Sequence, residues 1–303
     1  VTPVSRPWRP LASASANLVG SLFMIVAMGL FALEDGFIKL TAGTLPVGEV
    51  LLIFGGGGVL AFAGLARATG QTLADPLVLS RPMLVRFIFE FTGRLFYVLA
   101  LALTPLSATT AILQATPIVV VMGAALVFSE KVGWRRWTAI GIGMVGVLIV
   151  LRPGVDSFSP LSILAVIGML GFAGRDLASR AAPRGLGTNV LGFYGFLTIV
   201  VAGLAFALWE GKPLVVPTAT SLAAFAAAIS AGVLAYSSLM KAMRTGEVAS
   251  VTPFRYTRLL FGVGLGILFF DERLDMAMIA GCGLIVAAGL FLLWRGQKRK
   301  AAA

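Results

Sequence analysis

FALEDGFIK, residues 31–39, sets two carboxylates and a lysine inside an apolar run that begins at Leu18. Charges are costly in such a place: one at the centre of a bilayer costs roughly 2.5–3.5 kcal/mol on insertion scales. A second phrase of the same shape, FAGRDLASR, occupies residues 172–180. At an offset of 141, Phe31 aligns with Phe172, Ala32 with Ala173, Asp35 with Asp176 and Lys39 with Arg180. VFSEK at 127–131 is echoed by FFDER at 269–273, an offset of 142. Behind each lies a glycine-rich apolar stretch, GIGMVGVLIVL from Gly141 and GLIVAAGLFLL from Gly283. The chain reads as two related halves.

Composition says what solvent those halves face. Of 303 residues, 58% are hydrophobic and 12% are charged, and the mean hydropathy is +0.97. Soluble domains carry about 25% charged residues, so the solvent is lipid. The first apolar run is expected to be a retained span rather than a cleaved leader. Cys282 is the single cysteine and there is no histidine. This excludes an intramolecular disulfide, Cys-rich or His-ligated metal sites and Ser-His catalysis. No cofactor is expected. The net charge of +11 fits basic loops on one membrane face better than a nucleic-acid partner.

A helix needs about 20 apolar residues to span the hydrocarbon core. Ten segments qualify, near 18–40, 47–66, 81–104, 106–128, 134–151, 159–180, 188–209, 219–242, 247–270 and 274–294. Turn chemistry separates them, as at Asp75-Pro76, Thr104-Pro105, Arg152-Pro153-Gly154 and Gly211-Lys212-Pro213. With both termini on one side, fifteen basic residues fall in that side's segments and three in the opposite loops; the other six of the 24 lie within helices. The positive-inside rule then makes both termini cytoplasmic, in a multi-pass protein expected in a bacterial inner membrane.

Each half, 1–155 and 156–303, holds five helices. Five is odd, so the second half enters the membrane upside down. The predicted fold is an all-α integral membrane protein of ten transmembrane helices in two inverted five-helix repeats, forming one membrane domain. Inverted repeats are the architecture of secondary transporters that work by alternating access.

Two stretches carry a family resemblance: ALALTPLSATTAILQATPIVVVMGAALVFSEKV at 100–132 and MKAMRTGEVASVTPFRYTRLLFGVGLGILFFDERL at 240–274. With ten helices and a Glu-bearing turn after the fourth of each half, the chain resembles the drug/metabolite transporter superfamily. Within it the chain is most similar to EamA-type exporters, of the YddG kind that export amino acids. The resemblance implies a pathway lined by the first, third, fourth, sixth, eighth and ninth helices. It also implies export of amino acids, including aromatic or neutral ones, or of similar small metabolites.

Eleven ionisable residues lie within the spans, six basic and five acidic. Near-balance points to pairing around an aqueous cavity. Arg86, Glu90 and Arg94 recur every four residues on the third helix, with Tyr97 continuing the stripe. A zwitterion needs a cation for its carboxylate and an acceptor for its ammonium. Arg94 and Arg258 are candidates for the first role and Glu90 for the second. Phe96, Tyr97, Phe172, Tyr236 and Tyr256 are candidate contacts for a side chain. Glu34, Asp35 and Lys39 sit in the outer half of their helix, Arg175 and Asp176 in the inner half of theirs, as two gates flanking a central site require. The structural alternative is that these charges only hold helices together.

Gly55–Gly58 and Gly262-x-x-x-Gly266 read as close helix contacts. Pro117 and Pro253 are expected to kink the fourth and ninth helices. Multidrug or nucleotide-metabolite export is the competing transport reading. An intramembrane aspartyl protease is disfavoured because Asp35 and Asp176 are predicted at opposite depths. No Walker loop is present. Energy coupling stays open between proton antiport, through Glu34 or Asp35, and the substrate gradient alone. The expected partners are a small-molecule substrate, membrane lipid and, for antiport, protons.

Overall fold

A computed structural model of the protein describes residues 14–42, 45–103, 112–151, 160–270 and 276–301. Among them are ten α-helices of thirteen residues or more: α1 Ala14–Ala42, α2 Val47–Ala68, α3 Arg81–Leu103, α4 Thr116–Phe128, α5 Trp134–Leu151, α6 Ser162–Ala181, α7 Thr188–Glu210, α8 Ala219–Thr245, α9 Thr257–Phe270 and α10 Met276–Ala301. No strand occurs among the described residues. Five of these helices, α1, α2, α6, α7 and α8, are long and apolar enough to cross a membrane by length and composition. Thr116–Phe128 and Ile279–Phe291 are shorter apolar helices. Large apolar side chains such as Leu60, Ile88, Leu126 and Leu208 stand on the exterior, the arrangement a lipid solvent favours. The protein is a multi-pass membrane protein.

The helices pack in cross-half pairs. α1 lies on α8, α2 on α7, α3 on α6 and α5 on α10. The first three pairs are antiparallel. Gly20 near the start of α1 meets Ala242 near the end of α8, and Gly48 at the start of α2 meets Ala207 near the end of α7. Gly93 of α3 abuts Gly171 of α6, with Tyr97 beside Gly168 and Phe89 beside Gly174. These glycines are required by close approach. A β-carbon on Gly48 would stand 2.6 Å from the Ala207 backbone, and one on Gly168 would stand 2.9 Å from the Tyr97 nitrogen. Apolar helices in lipid associate through such close packing.

Three glycines of the four-glycine run make the expected close contacts, while nothing lies within 4 Å of a β-carbon on Gly56. Gly55 faces Val200, Gly57 faces Ile229 and Gly58 faces the Phe196 ring, so α2 is pressed onto α7 and α8. Gly262 does not: nothing lies within 4 Å of where its β-carbon would be. Its expected role as a tight helix contact is therefore not met.

Two helices differ from the continuous spans predicted at 106–128 and 247–270. α4 begins at Thr116 after a turn at Gln114–Ala115, with Pro117 in its first turn. Before α9 come a single helical turn, Val248–Val251, and a 3₁₀ segment, Thr252–Tyr256, with Pro253 in its first turn. Proline has no N–H to donate and clashes with the carbonyl four residues back. It is favourable only where a helix starts. The two prolines therefore begin helical segments instead of kinking continuous ones. The Thr104-Pro105 break and the turn holding Glu272 lie outside the described residues.

Candidate functional site

A cavity of about 750 Å³, its open side included, lies among the helices. α1 gives it Met28, Phe31, Glu34 and Asp35; α3 gives Arg94 and Tyr97; α6 gives Phe172 and Arg175; α8 gives Leu239. The remaining wall comes from the two interrupted helices: Leu113, Gln114, Thr116 and Pro117 on one side, Arg255 and Arg258 on the other. These are the first, third, fourth, sixth, eighth and ninth helices, the set that the family resemblance implies. The lining mixes charged side chains with the apolar Met28, Phe31, Leu113 and Leu239.

The ion pairs divide the cavity ends. At one end Arg258 binds Asp35, its Nε donating to Oδ2 over 3.0 Å, and the Arg258 guanidinium lies 5.3 Å from the Phe31 ring centre. The Asp35 side chain there is 57% exposed, so this end is open to solvent. At the other end Arg175 donates from Nε to Asp176 Oδ1 over 2.9 Å, and Arg255 pairs with the second Asp176 oxygen. Arg175 also bonds Glu90 over 3.2 Å. This end is sealed further on, where Arg180 donates to the carbonyls of Met243 and Gly246 at 3.0 and 2.7 Å. Glu130 accepts from the Val248 and Ala249 N–H groups, each at 3.2 Å, and Arg136 pairs with Glu247.

Glu90 is not where the sequence pattern puts it. It is fully buried behind the cavity, accepting from Arg86 at 3.3 Å, Arg175 at 3.2 Å and the Tyr236 hydroxyl at 2.8 Å. Arg86, equally buried, also donates to Ser179 Oγ at 3.0 Å and the Leu191 carbonyl at 2.9 Å. Tyr236 belongs to this knot and does not line the cavity. The reason is helical drift. Residues four apart are rotated by about 40° relative to each other, so Arg94 is turned about 80° from Arg86. Of the stripe, Arg94 and Tyr97 reach the cavity.

Tyr256 is also displaced. Its ring packs on Val147 and Ile285, against α5 and α10, and its hydroxyl donates to the Ile140 carbonyl at 3.5 Å. In a 3₁₀ segment successive residues step by about 120°, so Arg255 and Tyr256 face different ways. Asp176 is buried beneath the cavity wall that its two arginines form. The side chain of Lys39 lies outside the described set, and Phe96 is not part of the cavity lining.

The remaining predicted residues come together. Phe172 holds Arg94 at 5.8 Å and Arg175 at 5.0 Å from its ring centre, with Tyr97 edge-on at 5.6 Å. Arg94 makes no ion pair among the described residues, and its Nε is buried without a hydrogen-bond partner. Glu34 is only 7% exposed and likewise unpaired. Sequence reasoning missed Met28, Leu113, Gln114, Thr116 and Leu239 as lining residues. The cue for the middle three was Pro117: a proline inside a predicted span marks a helix start, and the residues before it turn into the cavity.

Residues 160–294 match the EamA-like transporter family. Over those residues the chain is similar to that family. It is 28% identical over 280 residues to the pseudopaline exporter CntI of Pseudomonas aeruginosa, covering 90% of this chain and 95% of that one. It is 29% identical to the riboflavin transporter of Rhizobium johnstonii, over 72% and 71% of the two chains. It is 23% identical to the S-adenosylmethionine uptake transporter of Rickettsia prowazekii, over 74% and 76%. A crystal structure 20% identical in sequence superposes with a TM-score of 0.77, covering 94% of this chain and 99% of that one; at that identity it shows the fold alone. The match to the EamA-like family and these relatives support a transporter of small metabolites.

Proposed function

We propose that this protein moves small carboxylate-bearing metabolites of the amino-acid class by alternating access, with Arg94 as the carboxylate site. One observation carries the reading. The other arginines of the cavity are spent on Asp35, Asp176 or Glu90, whereas Arg94 faces it without an ion pair among the described residues, its guanidinium on the Phe172 ring. A cation held in a largely buried wall without a counter-ion is ready to receive one from the substrate. The apolar side chains of the lining suit the side chain of such a molecule. Export is the proposed direction; the exporter relative aligns over most of both chains. Counterflow of a labelled mixture of the standard amino acids into loaded proteoliposomes tests the substrate class. Exchange above that of protein-free vesicles is expected, and its absence for every member rejects the class.

The pairing of helices across the two halves supports the mechanism. Exchanging each helix with the one five places along turns the α1–α8 pair into α6–α3 and maps α2–α7 and α5–α10 onto themselves. This pairing supports a swap of conformations between the halves, as alternating access needs. Asp35–Arg258 serves as the gate at one end and Arg175–Asp176–Arg255 as the gate at the other. The sealed end gathers the Arg136, Arg180 and Arg244 layer, which we assign to the cytoplasm of a bacterial inner membrane. A cysteine at Lys212 should then react with an impermeant maleimide from outside intact cells, and one at Arg184 should react only after permeabilisation. The opposite pattern reverses the orientation.

A further inference from the structure

The closed end of the cavity is short of negative charge. Among the described residues, Arg86, Arg175 and Arg255 share two carboxylates there: Glu90 serves Arg86 and Arg175, and Asp176 serves Arg175 and Arg255. Arg86 is sealed behind the wall, where Ser179 and the Leu191 carbonyl also accept from it. Arg175 bonds both acids. The shortfall therefore falls on Arg255, which has only the share of Asp176 that Arg175 leaves. Arg255 lines the cavity. Asp176 engages its Nη2, while its Nε is buried without a hydrogen-bond partner. Arg94, which shares the Phe172 ring with Arg175, lines the same cavity, and its Nε is buried and unpartnered too. The acids of the lining relieve neither: Asp35 is taken by Arg258, and Glu34 makes no ion pair among the described residues. Guanidinium groups in a largely dry wall are costly to leave short of acceptors. Two of them, on different helices, are left so here.

We propose that Arg255 is a second acid-binding site, so that the cavity selects amino acids bearing two carboxylates. The main-chain carboxylate lies on Arg94 and the side-chain carboxylate on Arg255. This rests on the amino-acid reading of the cavity proposed above and narrows it to dicarboxylic molecules. A guanidinium carries five N–H donors in a planar fork, so Arg255 can donate to a substrate oxygen while it keeps Asp176. A carboxylate matches that fork with two acceptor oxygens. A side-chain amide of the same shape sets an NH₂ group against N–H donors and brings no charge, which selects against it. Two negative charges on the substrate thus meet the two guanidinium groups that the protein leaves short, whereas a neutral amino acid satisfies one.

Glutamate and glutamine, alike in size and different by one charge, test it on the intact chain. Counterflow into loaded proteoliposomes should favour glutamate by about ten- to a hundredfold, the effect of one charge-assisted hydrogen bond. In Arg255→Gln the ratio of the two rates should fall toward one, and in Arg255→Lys it should stay well above one. The ratio is read within each variant, so a general loss of rate from the loosened contact with Asp176 does not hide it. Glutamine exchanged as fast as glutamate by the parent, or a ratio unchanged in Arg255→Gln, overturns the second site and leaves the amino-acid reading standing. Thermal unfolding in detergent supplies an arm that needs no transport. Glutarate, with two carboxylates and no ammonium, should raise the unfolding temperature of the parent more than its monoamide does, and the two should act alike on Arg255→Gln. If no amino acid exchanges, the amino-acid reading fails and glutarate decides the site: equal effects of glutarate and its monoamide on the parent overturn it.

Discussion

Glu90→Gln should cost the folded protein about 3–5 kcal/mol, the loss typical of breaking a buried ion pair from one side. Glu90 is the carboxylate that Arg86 reaches, and both side chains are wholly excluded from solvent. Arg175 keeps Asp176 when Glu90 is neutralised, but Arg86 is left with Ser179, Leu191 and Tyr236, none of which is charged. Glutamine is close in shape, so the loss reports charge compensation and not a cavity. Unfolding in graded SDS measures it. The double change Arg86→Gln with Glu90→Gln should recover much of the loss, because no buried cation remains unpaired. A single-variant effect of about 0.5 kcal/mol or less, the scale of an ordinary surface substitution, would show that the knot is not what holds α3 to α6, α7 and α8.

Arg94→Gln should act in the opposite sense: little on stability, much on transport. No ion pair is broken within the described residues, and what is lost is the contact with Phe172. A charge-assisted hydrogen bond to a substrate carboxylate contributes about 1.5–3 kcal/mol, so exchange of amino acids should fall roughly ten- to a hundredfold. Arg94→Lys should restore part of the rate. The discriminating probe is an amino-acid amide, which has no carboxylate. Its exchange, where it occurs in the parent, should be unchanged by Arg94→Gln. Equal losses for acid and amide would make Arg94 a structural residue.

Much of this was legible in the sequence. The echo between FALEDGFIK and FAGRDLASR picked out α1 and α6, and of the charges it flagged Glu34, Asp35 and Arg175 line the cavity. The Leu- and Ala-rich runs placed the helices because length and hydropathy alone decide what spans a bilayer. The direction of residues along α3 was not legible, since a four-residue spacing looks like one face over a single turn and drifts over two; Glu90 was assigned to substrate and lies buried among Arg86, Arg175 and Tyr236. Tyr256 was misplaced because the sequence does not show where an α-helix tightens into a 3₁₀ segment. The pairing of Asp35 with Arg258, separated by 223 residues, depends on how α9 leans against α1, which no local pattern encodes.

Arg255 and Arg258 lie three residues apart, yet one reaches Asp176 on α6 and the other Asp35 on α1. A single short strut thus fastens both ends of the pathway. Under the alternating-access reading, movement that loosens one fastening is transmitted to the other through that strut, so the two ends do not relax independently. Its integrity bears on tightness more than on speed. A lesion between the two arginines uncouples the ends and admits a state open to both compartments, through which water and ions slip. The cell would then meet such a lesion as dissipation of its ion gradients, a harm distinct from the loss of one transport activity.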